Sequence, residues 1–382
     1  MPSVKVLVVH YRHKPGGYSH RLRMKIEAFL QEGWEVHYIA VEPYPYSHPN
    51  LVPHILWSPT PRFDTPLFWA WFFLVCPLYT LKVGLNIRPH LISVFSPPYG
   101  WICRLLKRLG KIPMAVFLRT VPNESLYSYR QAGWANRIEH GLNTGGLKAA
   151  NLIVANSETV LTASQKFYDW GNANKTTVLP NNLPDIPCDR EAARGTLFRE
   201  FFLPQEAFTL ATTGRFHKGK NIETLLRAVA RQENRRTRLL LFGEGEELEP
   251  LKQLSTELGV DDRVTFCGWR EDVSALLPGI DLFILPSLKE GMSNSLMEAL
   301  ACGVPCLVSD IAENREVISR PEQRFACEDV DRLAELIAHC REDGAFLETI
   351  RQHTREDAGR FDFDWGKRVV ETVRPLIRKQ TR

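Results

Sequence analysis

The sequence predicts two doubly wound α/β domains, each a parallel sheet with helices on both faces, and three observations lead there. Short apolar runs of strand length alternate with longer helical stretches from end to end. At 382 residues the chain exceeds one typical domain, so two of roughly 180 residues are expected. A proline-rich stretch, VLPNNLPDIPCDR, interrupts the alternation near the middle, where a linker belongs. The predicted boundary lies within 180–190, so the first domain is taken as 1–185 and the second begins at 186.

In the first half, VKVLVVH, EVHYIAV, PHLISVF, PMAVFL and NLIVAN read as strands. The first of them opens into HYRHKPGGYSHRLRMKIEAFL, a helix preceded by Gly16 and Gly17. These glycines let the backbone approach a ligand at the carboxyl end of the strand, where ligands collect in such sheets. Read alone, they are equally a flexible turn with basic neighbours. Segment 65–81, TPLFWAWFFLVCPLYTL, breaks the pattern, because it is uncharged and crowded with aromatic residues. At roughly 17 residues with an internal Pro77, it lies at the short limit for spanning a bilayer. A helix lying in the membrane interface fits better, since Trp and Tyr prefer that zone and Arg62, Lys82 and Arg88 flank the segment. The alternative is a helix buried against the first sheet.

The second half offers FTLATTG, TRLLLFG, VTFCG, DLFILP and PCLVSD as strands. The turn TGRFHKGKNIETLLRA presents Arg215 and Lys220 before a helix, a pair suited to a diphosphate: a planar fork and a mobile point charge. Lys218 competes for the second role. FGEGEELEPL and VTFCGWREDV place Gly243, Gly245 and Gly268 at sharp strand-end turns, with main-chain groups around Trp269 and Arg270 able to bind a base. Structural turns explain these glycines equally well.

The most informative stretch is PSLKEGMSNSLMEALACGVP. Glu290 falls in a loop with Gly291, and Glu298 on a helix predicted over 294–301 and stopped by Gly303 and Pro305. Ser293 can cap that helix, and the backbone N–H groups of Met292, Ser293, Asn294 and Ser295 form a donor cluster at its positive end, suited to a phosphate. The bland reading is an ordinary strand-turn-helix with surface glutamates.

Composition, 44% hydrophobic and 24% charged, excludes a disordered chain and a polytopic membrane protein. The net charge of +4 is unevenly spread: residues 1–185 carry 19 Lys/Arg against 10 Asp/Glu, leaving 29 against 34 for the rest. With no nucleic-acid-reading motif beside it, a basic half points to an anionic membrane partner, or to cations that merely solvate a surface. The eight cysteines form no Cys-x-x-Cys pair and read as reduced core residues; no metal site is expected. The opening MPSVKVLVVHYR reads as a strand, not a signal peptide, which leads to a cytoplasmic expectation.

Taken together and in this order, GRFHKGKN, FGEGEEL, FCGWREDV and EGMSNSLMEALACGVP resemble the family 4 glycosyltransferases of the GT-B fold. The resemblance is close over 208–320 and looser at Gly16–Gly17, NLIVANSETV, the PNN at 180–182 and FDFDWGKRVVETV. It implies two Rossmann-like domains facing a central cleft, with 365–382 a helix crossing back to the first. It also implies a retaining, metal-independent hexosyltransferase that needs no cofactor beyond a nucleoside diphosphate sugar, with UDP-sugars favoured and GDP-mannose the competing donor. The acceptor, a lipid-linked or surface glycan, would lie on the first domain, with the protein peripheral at the inner membrane face. By resemblance Arg215 and Lys220 stabilise the departing diphosphate, Glu290 holds sugar hydroxyls, Gly291 contacts the donor, Met292 to Ser295 present backbone amides and Glu298 binds the ribose. The leaving phosphate itself would take the acceptor's proton. Where many members carry a histidine beside the donor sugar, this chain has Arg119 and Thr120, so Arg119 is a candidate sugar or phosphate contact or a structural arginine. Two other readings are a non-catalytic nucleotide-sugar-binding subunit and a UDP-N-acetylglucosamine 2-epimerase-like enzyme. The latter class lacks this pair of glutamates after a GRF…K turn.

Overall fold

The computed structural model describes residues 3–13, 17–122, 133–171 and 175–378. The chain forms two compact units, one of residues 1–180 with 364–382 and one of residues 181–363. The break falls inside the proline-rich stretch, five residues before the predicted position. Asn181 is already fully buried in unit 2, donating from its backbone to the Met292 sulfur at 3.0 Å and from its side chain to the Met292 carbonyl at 3.1 Å.

Unit 1 holds strands β1 (Lys5–Val9), β2 (Glu35–Ala40), β3 (Leu51–Ile55), β4 (Leu91–Phe95), β5 (Met114–Leu118), β6 (Leu152–Ala155) and β7 (Lys175–Val178). All pairs are parallel, in the order β3-β2-β1-β4-β5-β6-β7. This is a doubly wound sheet whose winding reverses between β1 and β4. Helices α1 (Gly17–Gln31), α2 (Pro66–Ile87), α3 (Pro97–Gly110), α4 (Trp134–Ala149) and α5 (Glu158–Tyr168) connect the strands.

Two strands of unit 1 escaped the sequence reading for physical reasons. β3 carries Pro53 and buries only Leu51, with Val52 and His54 half-buried and Pro53 and Ile55 exposed, as an edge strand paired only to β2 can. β7, KTTV, is polar and lies at the opposite edge.

The aromatic segment is longer than predicted. Thr65 caps α2 by accepting from the Phe68 backbone, and the helix continues through Pro77 to Ile87. It is long and apolar enough to cross a membrane, yet a third of its most apolar stretch is buried within the unit. Phe68, Phe72, Cys76 and Val83 join Leu7, Val9, Ile92 and Val94 in the core, so the aromatic run is in part a sheet-packing surface.

Lys25 on α1 departs from the expectation that basic residues coat the surface. It is fully buried, its Nζ donating to the Ser93 carbonyl and hydroxyl at 3.1 Å each over the rings of Phe95 and Phe117, and burial drives its pKa far down.

A histidine pair bridges β2 and β3. His37 Nδ1 lies 2.9 Å from His54 Nε2, and His37 Nε2 lies 2.9 Å from Glu35 Oε1. Burial lowers both pKa values from the ordinary 6.5, outweighing the pull of Glu35 on His37. As pH falls, the unfolded chain therefore takes these protons first, so stability is full above about pH 6.5 and is lost progressively below it. Urea unfolding of unit 1 should show a midpoint that drops between pH 7 and pH 5.5, as stability falls by up to about 1.4 kcal/mol for each unit of pKa shift, and His54→Gln should flatten the drop. A wild-type midpoint that ignores pH in that window would contradict this assignment.

Unit 2 holds β8 (Phe208–Thr213), β9 (Thr237–Phe242), β10 (Val264–Gly268), β11 (Leu282–Leu285), β12 (Cys306–Ser309) and β13 (Arg324–Phe325), parallel in the order β10-β9-β8-β11-β12-β13. Its main helices are α6 (Arg190–Glu200), α7 (Ile222–Ala230), α8 (Leu248–Glu257), α9 (Asn294–Ala301), α10 (Val330–Glu342) and α11 (Gly344–Gly359). Both sheet faces are covered, and the strand period of two sends alternate residues to separate cores. Leu239, Leu241, Leu282 and Ile284 enter one, while Leu240, Phe242, Phe283 and Leu285 enter the other.

The last helix, α12 (Trp365–Arg378), belongs to unit 1 and packs on α1. It buries Trp365, Val369, Val370 and Val373, with the Arg21 guanidinium 5.5 Å over the Trp365 ring.

Candidate active site

The winding of unit 2 reverses between β8 and β11, so the loops that follow these strands start side by side at their carboxyl ends. After β8 the chain turns at Gly214, and Phe216 folds into the core at 1% exposure. His217 then caps a single 3-10 turn over Lys218–Lys220, its Nδ1 accepting from the Gly219 backbone at 3.1 Å. Asn221 ends that turn in the left-handed region, at φ 51°, and its side-chain amide donates to the carbonyls of Pro286 at 3.2 Å and Cys327 at 2.7 Å. The backbone of Leu288 donates to the Gly219 carbonyl at 2.8 Å. The two loops are thus stitched together from both sides.

This stitching brings Lys220 Nζ to 2.6 Å from Glu290 Oε1, with side chains only 17 and 11% exposed. Ser287 donates to the same oxygen at 2.7 Å, and its carbonyl in turn accepts from the Ser309 hydroxyl. Behind the loop sits Glu313, 8% exposed, accepting from the Glu290 backbone N–H. Burial raises the Glu313 pKa; that backbone bond and the charge of Lys289 oppose the rise.

Past Gly291, the chain enters α9 as Ser293 accepts from the Leu296 backbone at 3.4 Å and shares a 2.9 Å hydroxyl contact with Ser295. Asn181 holds Asn294 at 3.0 Å as well as Met292, so the first turn of α9 is clamped by the residue that opens the unit. Glu298 follows one turn later, half-buried. At its far end α9 stops before Gly303, which takes φ 60°. The site therefore combines a helix N-terminus with outward N–H groups, a fixed ammonium and a fixed carboxylate, an arrangement able to bind an anion and a polyhydroxylated group together.

A glycine junction packs the neighbouring strand ends. The Gly214 backbone donates to the Phe242 carbonyl and Gly243 to the Gly268 carbonyl, each at 2.9 Å. A side chain on Gly243 would stand 1.9 Å from the Gly214 carbonyl oxygen. Gly243 is therefore required by close backbone approach.

Two sequence descriptions match the chain: Glycosyl transferases group 1 over residues 207–343, and Glycosyl transferase 4-like domain over residues 16–182. The chain belongs to the group 1 glycosyltransferase family. Among curated relatives, the lipopolysaccharide core biosynthesis glycosyltransferase LpsD of Rhizobium meliloti is 36% identical over 38% of this chain and 43% of its own. The N-acetyl-alpha-D-glucosaminyl L-malate synthase of Bacillus anthracis is 28% identical over 48% of each. The chain thus spans less than half the length of these family relatives. Among solved structures, the sucrose-phosphate synthase of Thermosynechococcus elongatus superposes with a TM-score of 0.78 at 19% identity, covering 99% of both chains. HepE of Anabaena, in complex with UDP-glucose, superposes with a TM-score of 0.77 at 19% identity, covering 97% of this chain and 99% of its own. These likenesses establish the family's GT-B fold, two Rossmann-like parallel-sheet domains.

Of the residues singled out in the sequence, Lys220, Glu290, Gly291, Met292, Ser293, Asn294 and Ser295 come together on the two stitched loops and the start of α9. Arg215 instead lies at the surface, 74% exposed, paired with Glu246 at 3.1 Å. Trp269 is 57% exposed. The Arg270 side chain is held by Glu200 and Asp272, which leaves its main chain for any base contact. Gly17 and Arg119 belong to unit 1: Gly17 is the first residue of α1, and Arg119 follows β5, its carbonyl accepting from Asn156 at 3.1 Å and its guanidinium 5.8 Å over the Phe95 ring. Gly16 lies outside the described residues. Among the described residues, no three His, Cys, Asp or Glu side chains are grouped to hold a metal ion.

Sequence reasoning missed Ser287, Glu313 and the Asn221 bridge. Ser287 precedes Glu290 by three residues and was legible as a polar position in the same loop. Glu313 reaches the site from the helix after β12, and no local spacing announces it.

Proposed function

We propose that the protein is a retaining glycosyltransferase that moves a sugar from a nucleoside diphosphate sugar, without a metal, to a lipid-linked or surface-glycan acceptor at the cytoplasmic face of a membrane. The Lys220–Glu290 pair beside the N-terminus of α9 carries the reading. Each group satisfies the other in the pair; on binding the donor, Lys220 turns to the diphosphate and Glu290 to sugar hydroxyls. Arg215 joins Lys220 by giving up Glu246, an exposed pair that costs little to break. The amides of residues 292–295 take a phosphate oxygen, Glu298 takes the ribose, and main-chain groups at Trp269 and Arg270 take the base. Charge that develops on the leaving diphosphate is met by fixed donors, and the departing phosphate oxygen accepts the acceptor hydroxyl's proton on the same face.

A UDP-sugar donor is supported by the UDP-glucose complex of HepE, and a glycan acceptor by the lipopolysaccharide role named for LpsD. A thermal-shift screen with UDP, UDP-sugars and GDP-mannose tests the donor. At a hundredfold excess over Kd a bound nucleotide adds about 2.7 kcal/mol, which should raise the melting temperature of unit 2 by several degrees for UDP-sugars and less for GDP-mannose. A shift with GDP-mannose alone would overturn the UDP assignment, and no shift with any nucleotide would overturn donor binding itself.

A further inference from the structure

Helix α2 is buried along one side only. Phe68, Phe72 and Cys76 are fully buried, whereas Leu67, Leu74, Leu78 and Leu85 are 74, 73, 63 and 51% exposed. Their spacing of seven, four and seven residues places all four within an arc of about 40°, in a row about 27 Å long.

Helix α3 packs closely alongside. Leu106 fits against Gly84, where an added methyl group would come within 2.2 Å of it, and Phe73 meets Trp101 edge-on with ring centroids 6.2 Å apart. The same helical layer therefore also exposes Leu105 and Leu109. Charge carried by the two helices themselves has one sign. No aspartate or glutamate occurs between Asp64 and Glu124, while Lys82, Arg88, Arg104 and Arg108 are exposed on the two helices and the cap of α2.

The charge and burial choose among the possible occupants. A second copy docked about a two-fold axis would set the same cations against each other. A membrane-spanning placement would draw Phe68 and Phe72 out of the core. An anionic bilayer surface accepts both features, since leucines enter the acyl boundary while arginines and lysines stay with the headgroup phosphates. We propose that the α2–α3 face docks the protein flat on anionic phospholipid, with the leucine row of α2 as the inserted edge. This deepens, and rests on, the membrane-face reading of the function given above.

The test is sedimentation of the full-length protein with vesicles of phosphatidylcholine, with and without phosphatidylglycerol. Binding should require phosphatidylglycerol and weaken in high salt. Leu74→Asp with Leu78→Asp, and separately Arg104→Glu with Arg108→Glu, should each lower the partition coefficient roughly tenfold or more. Melting curves and UDP-sugar turnover on a soluble acceptor should stay at wild-type values, and two independent pairs guard against one misfolding. The proposal is overturned if wild type does not sediment, if both pairs sediment like wild type, or if the leucine pair only dissolves a dimer seen by light scattering. Protein that sediments as expected without turning over UDP-sugar removes the transferase reading and leaves the docking face standing.

Discussion

Lys220→Ala is expected to lower sugar transfer by at least a hundredfold and to destabilise unit 2 as well. The first effect follows from removing one fixed positive donor to a leaving diphosphate, a loss of about 3 kcal/mol of transition-state stabilisation in comparable sites. The second follows from Glu290, 11% exposed, being left with Ser287 as a neutral partner. The two effects separate in a double-mutant cycle. Lys220→Met with Glu290→Gln removes both charges, so it should recover much of the lost melting temperature while transfer stays at the level of the weaker single variant. Recovery of activity in the double variant would mean that the pair is a structural clasp and that the donor site lies elsewhere.

Gly243→Ala should be the most damaging small substitution in unit 2. Gly243 takes φ 147°, and its new methyl group would meet the Gly214 carbonyl oxygen at 1.9 Å, a backbone atom with no rotamer to move. Backbone strain of about 1–3 kcal/mol and overpacking of similar size together predict a fall of about 10 °C in the unit 2 melting temperature. Gly195→Ala is the control. That glycine lies within α6 with no atom within 4 Å of the added methyl, so the change should be neutral or mildly stabilising. Differential scanning calorimetry of the two variants side by side checks the contrast, and equal melting temperatures would remove the close-approach argument.

How much could be read in the sequence depended on the range of the forces involved. The buried strands were legible because a parallel sheet covered on both faces needs continuous apolar runs, as in DLFILP and TRLLLF. The start of α9 was legible because its cap, Ser293, and its stop, Gly303, act within one turn of the helix. The edge strands β3 and β7 were not, since half of each faces solvent. Long-range pairing was hidden as well: nothing local says that Lys220 and Glu290, or Asn181 and Met292, share a hydrogen bond. For the same reason Arg215 and Lys220 looked alike in GRFHKGKN, although one lies on the surface with Glu246 and the other is enclosed. The uncharged stretch at 65–81 was read as either buried or membrane-facing, and α2 is buried on one side while a leucine row is exposed on the other.

The return of α12 to unit 1 sets an order on biosynthesis. Unit 2 is continuous from 181 to 363 and can close as soon as Phe363 leaves the ribosome, but the first unit made is the last completed. Until Trp365, Val369 and Val373 arrive, the face of α1 that receives them stays open to solvent, beside the buried Lys25 of the same helix. A stop codon near residue 364 would therefore injure the opposite end of the polypeptide, leaving the nascent basic half as the species that chaperones and proteases meet.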